Sequence, residues 1–148
     1  MSDDELADGL SALFRHADPV PAAVRDAAAA SLTWRDPDAA LAALVQDTAD
    51  SDAMPVTSRG AVPRLLTFEA DELVIDVEIN IQPDGVRLTG QLAPMRAATI
   101  TVCRMHAQQD VRADALGRFA VAGLPHGLVR LRCARGAAVP VNTEWFAI

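Results

Sequence analysis

The sequence predicts an α+β fold. A short helical segment of two to three helices covers residues 1–47, a linker covers 48–62, and an antiparallel β-sandwich of about seven to eight strands covers 63–148. Three observations carry this reading. Apolar residues recur at helical spacing up to Asp47. Strict period-two alternation sets in after Pro63. The alternating runs are separated by turn residues, with no room for the crossover helices that a parallel sheet needs.

The first helix is predicted over roughly residues 3–16. Ser2 and Glu5 have capping-box spacing, and three acids fall in the first turn, where the helix dipole favours them. Leu6, Leu10, Leu13 and Phe14 then form one stripe. A helix this short is marginal alone in water, so the stripe needs a covering surface. Asp18-Pro19-Val20-Pro21 stops it and starts a second helix, residues 20–34, with a stripe of small residues (Val24, Ala27, Ala28, Ser31) and Trp34 at its end. Asp36 as N-cap and Pro37 at the first helical position predict a third helix, striped by Leu41, Leu44 and Val45 and fading near Asp47. Residues 48–62 (TADSDAMPVTSRGAV) lose periodicity and read as linker.

Alternation then takes over. In Glu72–Ile81, Leu73, Ile75, Val77, Ile79 and Ile81 share one face, and Val74, Asp76, Glu78 and Asn80 share the other. Arg64–Glu69 is predicted to pair with it across Ala70-Asp71, and Pro83-Asp84-Gly85 supplies the next turn. Strand signals follow at Val86–Leu92, Ala97–Met105, Gln108–Ala113, Arg118–Val121, Leu128–Ala134 and Val139–Phe146.

Composition bounds the function. A hydrophobic content of 51% is too high for a disordered chain. The net charge of −7 is uneven: residues 1–53 hold eleven acids against three bases, and the rest is near neutral. The acidic third repels nucleic acid and suits a basic protein surface. The strand arginines Arg104, Arg112, Arg130, Arg132 and Arg135 lack the interleaved aromatics that nucleic-acid stacking uses; they read as a solvated face or as a docking surface for acidic groups. No apolar stretch is long enough to span a membrane. The acidic start lacks the basic region of an export signal. The expectation is a cytoplasmic protein with Cys103 and Cys133 reduced.

The most specific stretch runs from Ala98 to Cys133. Asp114, Gly117 and Phe119 form a D-x-x-G-x-F turn into a strand, and Gly123-Leu124-Pro125-His126-Gly127 form a G-L-P-x-G turn into the next. This stretch resembles the carboxypeptidase regulatory-like (transthyretin-like) domain family over roughly residues 86–135. The resemblance implies a sandwich in which these residues shape turns and core and do no chemistry, with some members binding proteins or carbohydrate. The chain is also similar to a small family of actinobacterial proteins, through Asp18-Pro19-Val20-Pro21, Val24, Ala27-Ala28, Trp34-Arg35, Asp38-Ala39, Leu41-Ala42 and Leu44. That resemblance implies a regulatory or adaptor role near sigma factors or caspase-like proteases.

No catalytic, metal or cofactor motif appears. His16, His106 and His126 are scattered, no HExxH or HxxE occurs, and neither a G-x-S-x-G elbow nor a phosphate-cradling loop is present. The expectation is a non-enzyme with no cofactor. Its protein partner is predicted to dock on Leu6, Leu10, Leu13, Phe14, Trp34, Leu41 and Leu44 by helix-in-groove packing. Trp34 serves either as such an anchor or as a staple to the sheet, and Trp145 reads as core or edge packing. The alternative is a stand-alone ligand-binding or structural sandwich whose helices only cap the sheet.

Overall fold

The computed structural model describes residues 3–17, 20–22, 24, 25, 28, 36–50 and 63–148. They fall into two compact units, Met1–Pro37 and Asp38–Ile148. In the first, α1 (Asp3–Ala17) is the one extended α-helix among the described residues. Pro21 opens a further helical turn, its carbonyl accepting from the amides of Val24 (3.0 Å) and Arg25 (3.2 Å). The remainder of the predicted second helix, with Trp34, lies outside the described residues, as does the Ser2 cap.

The described residues of the second unit form ten strands and one 3₁₀ turn, Thr48–Asp50. Its ten strands are β1 (Ala40–Asp47), β2 (Arg64–Ala70), β3 (Leu73–Gln82), β4 (Gly85–Ala93), β5 (Ala98–Arg104), β6 (Ala107–Ala113), β7 (Arg118–Leu124), β8 (Leu128–Ala134), β9 (Val141–Thr143) and β10 (Phe146–Ala147). The sheet order is β6-β5-β8-β9-β1-β2-β3-β4-β7, with β10 also paired to β8. Every pairing is antiparallel except β1 with β9. The end strands β6 and β7 are joined by the tight Asp114–Gly117 turn, so the mixed sheet curls into a nearly closed barrel. The fold is therefore essentially all-β. The predicted α+β class with two to three helices is corrected.

The correction turns on residues 38–47. Leu41, Leu44 and Val45 have helical spacing, yet Ala40–Asp47 is β1, and Asp36-Pro37 leads into a turn rather than a helix. Both edges of this segment find ladder partners, β9 on one side and β2 on the other. Such pairing overrides the modest helix propensity of an alanine- and leucine-rich run. A bulge hid the strand: Leu44 pairs with Phe68 and Gln46 with Thr67, which leaves Val45 extra. An extra residue breaks period-two alternation and imitates a helical stripe.

The core lies inside the curled sheet. Phe68, Leu66, Ile75, Val77, Leu88, Leu92, Ile100, Val102 and Leu131 are fully buried, and Phe68 meets Phe146 with ring centroids 5.2 Å apart. Ile81, at the end of the inward row of β3, is exposed. Arg64 ties the ends of three strands: its guanidinium pairs with Asp47 at the end of β1 and donates to the Ala147 carbonyl of β10 at 3.0 Å.

Candidate functional site

The predicted partner surface divides three ways. Leu6, Leu10 and Leu13 stand on α1 and are 47%, 47% and 63% exposed. Asp4, Glu5 and Asp8 lie on the same helix, so an apolar stripe runs among acids. The side chains of Phe14 and Trp34 lie outside the described residues. Leu41 and Leu44, predicted to continue the stripe on a helix, are on β1 instead. Their odd spacing sends them to opposite faces: Leu41 points outward, and Leu44 points inward against the core. Neither residue is on a helix, and that part of the expectation is corrected.

The turn residues hold structure. The Asp114 carboxylate accepts from the amides of Leu116 and Arg118 (both 2.9 Å) and from Arg118 Nε at 3.0 Å. These bonds, led by the Arg118 amide, hold its carboxyl below the ordinary range. Gly117 has φ +74°, and a Cβ there would sit 2.8 Å from the Leu92 carbonyl oxygen. Phe119 is buried. Gly123 is inside β7 rather than in the turn after it. Leu88 pairs with Val121 and Val86 with Leu124, so β7 carries a bulge there, and Gly123 supplies its positive φ of +70°. The turn proper is Pro125–Gly127, where Gly127 exchanges backbone hydrogen bonds with Ile148 (3.1 and 2.9 Å).

The cysteines lie on opposite faces of the sheet. Cys133 pairs with Ile100 in the core, whereas Cys103 pairs with Arg130 on the outer face. Three ladder steps of about 3.3 Å separate their rows, beyond the reach of a disulfide. Burial pushes the Cys133 thiol up, away from the reactive thiolate. Arg130 also points outward, its guanidinium 5.3 Å above the ring of half-buried Trp145. Among the described residues no group of three or more His, Cys, Asp or Glu is placed to hold a metal.

Cross-strand register builds one site that the sequence reading did not single out. On the outer face, Gln46, Thr67, Asp76, Gln91 and Arg118 lie in one row across β1, β2, β3, β4 and β7. The next row holds Leu65, Glu78, Thr89 and Ala120. The first row, with Leu65, Glu78 and Thr89 of the second, lines a cleft of about 400 Å³. Thr67 donates to Asp76 at 2.7 Å, and the Asn80 amide donates to Glu78, which fixes both carboxylates. Alternation alone shows that these residues face out; which of them meet depends on register across five strands.

No protein family, curated protein or solved structure matches the chain.

Proposed function

We propose that this chain is a non-enzymatic regulatory or adaptor protein that captures a protein partner through α1. The carrying observation is the exposed row Leu6, Leu10 and Leu13 on a helix rich in acids. Each leucine contributes about 1.5–3 kcal/mol when fully buried, so three suffice to anchor a helix in an apolar groove. The acids select a groove rimmed by arginine or lysine, and they speed encounter with it. The resemblance of the sequence to a small family of actinobacterial proteins suggests a sigma factor or a caspase-like protease system as partner. No described helix is long and apolar enough to cross a membrane.

The test compares the full chain with its L6D/L10D/L13D variant as baits, followed by titration of the identified partner. Capture and binding by the first alone, weakening as salt rises, is the expected result. Equal binding by both, with equal thermal unfolding, rejects α1 as the recognition element. The alternative, a ligand-binding β-domain, draws its support from the cleft on the outer face of β2, β3 and β4.

A further inference from the structure

Asp76 and Glu78 are two like charges on one face of one strand, at i and i+2. Exposed carboxylates on a sheet are commonly balanced by a base directly across the ladder, since like charges side by side destabilise. Here the direct neighbours are Thr67 and Gln91 for Asp76, and Leu65 and Thr89 for Glu78. None is basic. The base in the cleft is Arg118, two strands from Asp76 on the same row, about 9.6 Å by strand spacing. Asp114 engages its Nε and Nη2, and Arg118 lines the end of the cleft. The cleft thus has an acidic middle, a basic end and an apolar wall at Leu65. The backbone positions of Asp76 and Glu78 are about 6.6 Å apart along β3, close enough for one side-chain cation to lie between the two carboxylates.

We propose that this cleft binds a basic amino acid of the lysine or arginine class, free or as the C-terminal residue of a peptide. The side-chain cation lies between Asp76 and Glu78, the aliphatic stem crosses β4 beside Thr89, and the carboxylate reaches Gln91 and Arg118. Arg118 is already paired with Asp114, so the cleft is net acidic, and such an amino acid carries +1. The volume is at the small-ligand end of the usual range. This inference uses none of the α1 residues, so its failure leaves the adaptor reading untouched.

The experiment is an amide-resolved NMR titration of the full chain with L-lysine, L-arginine, cadaverine (no carboxylate), norleucine (no side-chain cation) and the tripeptide Ala-Ala-Lys. Saturable shifts in β2, β3 and β4 are expected with lysine and arginine. Cadaverine is expected to bind about fivefold more weakly, as one exposed charge contact predicts, and norleucine not at all. Binding of the tripeptide as tight as lysine assigns the peptide C-terminus, and weaker binding assigns the free amino acid; both support the site. The D76N/E78Q variant is expected to lose the shifts while its thermal unfolding is retained. Absence of saturable shifts with lysine and arginine, equal binding of norleucine, or undiminished binding by folded D76N/E78Q overturns the proposal. Cadaverine binding equal to lysine overturns the role of Arg118. Should that variant fold poorly, discrimination among ligands by the natural chain decides the matter alone.

Discussion

Gly90 is the position at which a single methyl group tests the packing most directly. It lies on the inward face of β4, opposite Phe119 of β7. A Cβ built on Gly90 collides with Cζ, Cε1 and Cε2 of the Phe119 ring, and Phe119 is only 4% exposed, so the ring cannot swing into solvent. Gly90→Ala is therefore an overpacking substitution and should cost about 1–3 kcal/mol. The three colliding atoms are those that leucine lacks. Phe119→Leu alone should cost about 1 kcal/mol as a near-conservative core exchange. In that background the added methyl enters vacated space, and alanine gains about 0.5–1 kcal/mol over glycine in an extended strand through the unfolded state. Gly90→Ala then becomes neutral or stabilising, and the coupling energy between the two sites exceeds about 1 kcal/mol. Urea unfolding of the natural chain, both single variants and the double variant measures it as a double-mutant cycle. Additivity within about 0.5 kcal/mol would falsify the claim that the ring of Phe119 occupies the space above Gly90.

Three further predictions follow from the strand framework. A chain beginning at Asp38 should unfold cooperatively, whereas one beginning at Gly60 lacks β1 and should show no cooperative transition by circular dichroism, because β2 and β9 both lose a ladder partner. Asp47→Asn should cost about 1–2 kcal/mol at pH 7 by weakening the pairing with Arg64. The hydrogen bond from Arg64 holds the Asp47 carboxyl below its ordinary value of 3.8. Its stabilisation is therefore complete above that value and fades as pH falls through the lower folded value, so the stability difference between the natural chain and Asp47→Asn should shrink as the solution is acidified below 3.8. Cys103 and Cys133 should remain two free thiols under mild oxidation, and Cys133 should react with a thiol reagent only at the rate of unfolding. Intramolecular disulfide found by mass spectrometry of the folded chain would reject the assignment of opposite faces.

How much was legible in the sequence depends on where the pattern was local. β2 to β8 stand close to where alternation and turn chemistry put them, because Leu73, Ile75, Val77 and Ile79 on β3 and Val129, Leu131 and Cys133 on β8 each fill an inward row without interruption. β1 was not legible. Its alanines and leucines suit a helix, its bulge at Val45 erases the alternation, and its two partners come from residues 64–70 and 141–143, distant in sequence. Gly123 reads as a turn residue for a related reason: glycine carries the same signal in a turn and in a strand bulge. The stripe on α1 was visible, since Leu6, Leu10 and Leu13 need only helical spacing. The cleft was not, because Gln46 and Arg118 come together only through the register of four strand pairings.

The position of β1 has a practical consequence. It is held on both edges by ladder bonds, by the Leu44 amide donating to Glu144 at 3.1 Å, and by the pairing of Asp47 with Arg64. Along the chain, residues 48–63 join it to β2. β1 thus acts as a clasp strand supplied to a gap between β9 and β2. Separately expressed fragments 1–50 and 63–148 form the halves of a split reporter, in which recovered fold signals that the two polypeptides have met.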